Sequence, residues 1–394
     1  MKIVSAPRLL VGGRFTGPAS LVIEDGTVVE IDATGSLDGP EHARFADGFL
    51  TAGLVDIQVN GGFGVDLAAA DETGWAHLAH CLTAHGVTAF QPTFITAPVD
   101  ELRAAVRRAA KVRPALDAPG FARVLGVHLE GPFLSPSQSG VHEPALMRLP
   151  TPRTLDALLT QDVAETLTMM TLAPELDGGI DAVRRLAAAG TVVSVGHSDA
   201  TAEQTRAAAD AGATMVTHIF NAQRGLQHRE PGVAGQALDD DRYYIGLIPD
   251  LLHVAPSVCR LVMSVAAHRV ALVSDATAAA GMPPGRYELG GQVVDVSPDG
   301  LPRNGDGRIA GSALCLDIGV RNLVGVGCGP AAVLDAATRV PADVLGRSDL
   351  GRLAPGAQAD LVWWSEDLRV RRTWIGGDLA YDAERDAAVA GIPR

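Results

Sequence analysis

From residue 54 onward, apolar runs of strand length recur, most of them separated by helix-like segments. The runs are LVDIQVN (54–60), VTAFQPTFI (87–95), RVLGVHLEG (123–131), TLTMMTLAPE (166–175), TVVSVGHS (191–198), TMVTHIFN (214–221), YYIGLIPD (243–250) and VALVSDAT (270–277). Amphipathic or Ala-rich stretches such as VDELRAAVRRAAKV and TAEQTRAAADAG lie between them. Eight strands alternating with helices predict an α/β fold, a (β/α)8 TIM barrel over residues 51–349. The two ends follow a different period. LVIEDGTVVEID (21–32) alternates around a Gly turn, and GAQADLVWWSEDLRVRRTWIGGDLA (356–380) alternates likewise. Segments 1–50 and 350–394 are therefore expected to meet as one small β-sandwich domain. Residues 284–310 read as a β insertion after the eighth strand.

The first of these runs continues as LVDIQVNGG. Val55, Ile57 and Val59 fall on one side of a strand, and Asp56, Gln58 and Asn60 on the other. The apolar context and the Gly-Gly stop place this strand in the interior, so its polar row faces something other than solvent.

Composition narrows the chemistry. At 394 residues, 47% hydrophobic and 20% charged, the chain has enough apolar surface for a large core and belongs with soluble globular proteins. A net charge of -14 argues against nucleic acid or an anionic membrane as partner, and any bound anion needs a local positive site. The four cysteines (Cys81, Cys259, Cys315, Cys328) have no CxxC spacing and read as free thiols in a reducing cytoplasm. The start, MKIVSAPRLLVGGRF, is interrupted too early for a secretory signal, and no apolar run reaches the length of a membrane span. The only lysines are Lys2 and Lys111, and neither follows a glycine, which excludes a GxxxxGK[ST] phosphate loop and argues against Schiff-base catalysis.

Barrel active sites sit at the C-terminal ends of the strands. There the third strand carries Glu130, the fifth His197, the sixth His218 and the eighth Asp275. One carboxylate and two imidazoles from different strands have the composition of a catalytic zinc site with an open position. A divalent ion there lowers the pKa of water toward neutrality, and Asp275 can take a proton and deliver it to a leaving group. Singly, each residue has an ordinary structural explanation: a strand end for Glu130, a helix cap for His197 or Asp275, a satisfied core histidine for His218. Their coincidence at the functional ends of four strands favours the metal site.

The motifs HLEGPFL (128–134), SGVHEP (139–144), GHSDAT (196–201), THIFNA (217–222), HREPG (228–232) and SDATAAAG (274–281) resemble, in order, those of the N-acetylglucosamine-6-phosphate deacetylases of the amidohydrolase superfamily. The resemblance runs from the flanking β ends through the whole barrel. It implies one divalent metal ion per subunit, most readily zinc, held by Glu130, His197 and His218, with Asp275 as catalytic acid and base. It also implies contacts to an amino sugar phosphate from Val141, His142, Asn221, Ala222, Arg229, Asp250, His253 and the Ile309, Ala310 and Gly311 backbone, and it implies a homodimer. Arg229 offers the forked cation that an acidic protein needs for phosphate. Gln58-Val59-Asn60 replaces the His-x-His of many amidohydrolases; amides are poor zinc ligands beside imidazole, so a one-metal site is expected. Leu251 stands where the family usually has glycine, and Gln223 where it usually has methionine. Other readings stay open at this point: a related amidohydrolase acting on another N-acetyl hexosamine phosphate or on a cyclic or N-acyl amide, and a non-catalytic sugar-phosphate-binding protein.

Overall fold

The hairpin expected at 21–32 forms around Asp25 and Gly26, both with positive φ (46° and 76°), and pairs Ala19–Glu24 with Thr27–Asp32. Left-handed backbone at both turn positions matches the right-handed twist of the flanking strands. The computed structural model describes residues 1–386 apart from 38, 40, 41 and 299; residues 387–394, assigned above to the small domain, lie outside the described residues. Thr27–Asp32, Ala19–Glu24, Lys2–Ala6 and His42–Arg44 make one four-stranded sheet. Asp378–Asp382, Val370–Ile375, Leu361–Trp364 and Phe49–Ala52 make a second. Leu21, Ile23, Leu50, Leu361 and Trp374 share one buried cluster between them. The N- and C-terminal segments thus close a β-sandwich on each other, because neither sheet can bury its apolar face alone.

Eight parallel strands form the barrel: β1 (Leu54–Val59), β2 (Val87–Ile95), β3 (Val127–Glu130), β4 (Leu167–Leu172), β5 (Val192–Val195), β6 (Met215–Val216), β7 (Tyr244–Leu247) and β8 (Val270–Leu272). Each pairs with the next in order. The circle is closed by single bonds rather than a ladder: Asp275 N–H donates to the Gln58 carbonyl at 3.0 Å, and Asn60 N–H to that of Ala276 at 2.8 Å. Surrounding helices dock by apolar stripes. In Val99–Leu116 the residues Leu102, Val106, Ala109, Val112 and Leu116 are buried at helical spacing, while Asp100 and Glu101 sit in the first turn where the helix dipole favours them.

Every strand but β2 is shorter than its apolar run, β6 and β8 most of all. β6 covers two residues of the eight expected, and β8 ends at Leu272. The cause lies in the backbone just beyond them: His218, Phe220, Ala222 and Asp275 all have positive φ (26°, 74°, 47° and 48°), which no ladder accommodates. Within the segment read as a β insertion, Gly285–Leu289, Gln292–Val296 and Pro302–Asn304 form a three-stranded sheet. Its Leu289, Val294 and Ala310 pack on Ile95 at the end of β2, which hangs the insertion over the C-terminal mouth of the barrel.

Candidate active site

At the C-terminal ends of the strands the polar residues converge. Glu130 closes β3, and its Oε1 lies 3.1 Å from His197 Nε2 and 2.8 Å from His218 Nε2, with all three side chains buried. One ligand atom from each residue falls within 4.8 Å of the others. The His197 position is fixed from both sides of the chain. Its Nδ1–H donates to the Gln138 carbonyl at 2.9 Å, which leaves the Nε2 lone pair aimed at the carboxylate. Just after it, Thr201 and Gln204 form a reciprocal capping box that sets where helix Ala202–Asp210 starts. A lone pair facing a carboxylate oxygen is repulsive unless a cation or a proton lies between them, so this donor set fits a divalent metal ion. Burial raises the Glu130 carboxyl, but where a proton rather than a metal ion lies between it and the imidazoles, hydrogen bonds from His197 and His218 outweigh burial and hold its pKa well below the usual value.

Asp275 faces the same centre and is also buried. Burial, and then the Glu130 charge, push its pKa up to about 6. The polar row of β1 meets it there. Asn60 Nδ2 donates to Asp275 Oδ1 at 2.9 Å; Gln58 Nε2 donates to the same oxygen at 3.2 Å and lies 3.4 Å from Glu130 Oε2. Neutral amides can therefore hold two carboxylates in place without neutralising either. His142 is not a loose loop residue but a buried one. The Thr96 backbone N–H donates to its Nδ1 at 3.2 Å, and Thr96 Oγ1 lies 2.9 Å away. With Nδ1 an acceptor, the proton resides on Nε2. Burial keeps the imidazole pKa well below its ordinary value, so His142 is a neutral donor.

Comparison with known proteins agrees with this geometry. The amidohydrolase family model matches residues 49–380. The chain belongs to the amidohydrolase family. Among curated amidohydrolases it is 39% identical over 381 residues to the N-acetylgalactosamine-6-phosphate deacetylase of Escherichia coli O157:H7, covering 96% of this chain and 99% of that one. It is 36% identical over 390 residues to the N-acetylglucosamine-6-phosphate deacetylase of Mus musculus, covering 95% and 91%. A mutant N-acetyl-D-glucosamine-6-phosphate deacetylase from Mycobacterium smegmatis, solved with N-acetyl-D-glucosamine-6-phosphate, superposes with a TM-score of 0.89 at 36% identity over 96% of this chain and 99% of that one.

In this amidohydrolase a cavity of about 490 Å³ opens above Glu130, His197, His218 and Asp275. Of the expected sugar-phosphate contacts, Val141, His142, Asn221, Ala222 and His253 line it, as do Ile309 and Gly311 on the insertion side. Ala310 is buried behind them against Ile95 and Leu289. Asp250 stands one step back: its Oδ2 accepts from His253 Nδ1 at 2.6 Å, which turns the other ring nitrogen free. Burial would raise the Asp250 carboxyl, but the His253 bond and charge more than offset it and lower its pKa. Arg229 is exposed on the loop after β6 and is not part of this cavity lining. Three residues that the sequence reading did not single out also belong to the site. Thr96 fixes the His142 tautomer, and its place directly after β2 was a usable signal. Gln138 acts through its carbonyl, which no residue type reveals. Arg308 lines the cavity from the turn before Ile309.

Proposed function

We propose that the protein hydrolyses the acetamide of N-acetyl-D-glucosamine 6-phosphate, giving D-glucosamine 6-phosphate and acetate. The observation that carries this reading is the convergence of Glu130, His197, His218 and Asp275 on the floor of one cavity, in a chain whose curated relatives are amino sugar phosphate deacetylases. Glu130, His197 and His218 would hold one divalent ion, zinc by its fit to this donor set, which would supply Lewis acidity and lower the pKa of water toward neutrality. Asp275 takes the proton of the attacking water and gives it to the amine nitrogen as the C–N bond breaks. His142 donates Nε2–H to the acetyl oxygen as negative charge builds there, and its neutral state costs the site no cation. Gln58 and Asn60 hold Asp275 in reach of both atoms.

His253, Asn221 and Ala222 bind the sugar phosphate from the wall of the cavity. Arg229, exposed and away from its own cavity, fits a homodimer in which it serves the site of the other subunit. Four free thiols and the absence, among the described residues, of any helix long and apolar enough to cross a membrane fit a cytoplasmic setting. The test is acetate release from the 6-phosphates of N-acetylglucosamine and N-acetylgalactosamine and from the unphosphorylated sugars. Turnover led by N-acetylglucosamine 6-phosphate is expected; turnover only of a cyclic or N-acyl amino acid amide would replace this reading with another branch of the family.

A further inference from the structure

In a pyranose the C6 substituent springs from C5, across the ring from C2. With the C2 acetamide at the floor of the cavity, beside Glu130 and Asp275, the 6-phosphate points to the mouth. The mouth carries one guanidinium of this chain: among the described residues, Arg308 is the only lysine or arginine that lines the cavity. Its position is built rather than incidental. The turn 304–308 is closed by Asn304, whose Oδ1 accepts from the Asp306 and Arg308 backbone N–H groups at 3.1 and 3.0 Å. The side chain then crosses to the facing loop, where Nη1 donates to Ser139 Oγ at 3.1 Å and to the Gly140 carbonyl at 3.2 Å. Nε and Nη2 take no partner among the described residues, so the other edge of the fork keeps its donors for a ligand.

We infer that Arg308, itself exposed at the mouth, is a phosphate-binding, specificity-determining residue supplied to the site by its own subunit, distinct from Arg229, which lies outside the cavity lining. This rests on the proposed deacetylation of a sugar 6-phosphate. A guanidinium pinned by a hydroxyl and a carbonyl is already in place when the dianion arrives, so little rotamer freedom is lost on binding. It also links the insertion to the Ser139–His142 loop, so phosphate held there braces the segment that carries His142.

The experiment compares kcat/KM for N-acetylglucosamine 6-phosphate and for N-acetylglucosamine in wild type, Arg308→Gln, Arg308→Lys and Arg229→Ala. A hydrogen bond to a charged group contributes enough that Arg308→Gln should lower the phosphorylated-to-unphosphorylated ratio roughly 10- to 150-fold. The loss is expected in KM, since the contact is remote from the scissile amide, and Arg308→Lys should recover part of it. Equal losses on both sugars would show that Arg308 only shapes the loop, and would overturn the inference. An unchanged ratio in Arg308→Gln beside a collapsed one in Arg229→Ala would assign the phosphate to Arg229 alone, leaving the proposed function intact. Wild-type enzyme that releases no acetate from the phosphorylated sugar would remove the proposed function, and this inference with it.

Discussion

Asp275 is held at φ 48° between the end of β8 and the closure of the barrel, a region that asparagine and aspartate enter more easily than other non-glycine residues. Asp275→Asn therefore keeps the backbone conformation and loses only the ability to accept a proton. General acid–base catalysis contributes 10²–10⁴-fold, so kcat is expected to fall by about that factor with Tm and metal content unchanged. Steady-state kinetics with elemental analysis checks this, and a variant with near-normal kcat takes Asp275 out of the mechanism. His197, His218, Ala222 and Leu251 share positive φ (46°, 26°, 47° and 63°), so strained backbone is concentrated around the cavity. A second residue-scale consequence lies beneath the site. Asp56 is buried, accepts from the Ser274 N–H at 3.1 Å, and burial raises its pKa from 3.8 to about 7. A carboxyl with a raised folded pKa contributes stability that is complete below the unfolded value and is lost as pH rises toward 7. Between pH 5 and pH 8 the wild type should lose ~2–3 kcal/mol relative to Asp56→Asn, at 1.36 kcal/mol per unit. Parallel denaturation curves at several pH values test it; a stability difference that stays constant with pH contradicts it.

At the scale of elements, β1 shows what an amide row does. Gln58 and Asn60 place donors on Asp275, where a His-x-His pair would place metal ligands. Metal stoichiometry near one per chain is expected after careful repletion, and two tightly held ions would contradict the one-metal reading. The barrel was legible from its apolar runs because strands buried on both faces announce themselves; β2 spans 87–95 as its run does. The failures sit where backbone geometry overrides residue type. The run TMVTHIFN looks like a full strand, yet it leaves the ladder after Val216 to turn His218 into the site. Glu130, His197, His218 and Asp275 could be read from chemistry at strand ends. Thr96 could be placed at a strand end in the same way, but its bond to His142 and the Gln138 carbonyl could not, because they depend on contacts between separate loops.

At the scale of the whole molecule, the chain closes twice: once as a barrel, and once as a sandwich whose two sheets come from opposite ends of the sequence. Leu361 is fully buried in the sandwich cluster, far in sequence from every site residue. Leu361→Ala should cost roughly 2–5 kcal/mol of stability, lowering Tm while leaving kcat per folded enzyme unchanged. Thermal unfolding together with kinetics below the transition tests it, and a proportionate loss of kcat would mean that the small domain supports the site directly. The activity proposed for the barrel cavity is metal-dependent deacetylation of an amino sugar 6-phosphate. Its most direct measurement is acetate release from N-acetylglucosamine 6-phosphate by chelator-stripped enzyme, before and after titration with zinc, with the unphosphorylated sugar in parallel. Negligible release from stripped enzyme, activity that saturates near one ion per chain, and a kcat/KM at least about tenfold higher for the phosphorylated sugar are expected. Full activity without metal, or a preference for the unphosphorylated sugar at one bound ion per chain, would contradict that proposal.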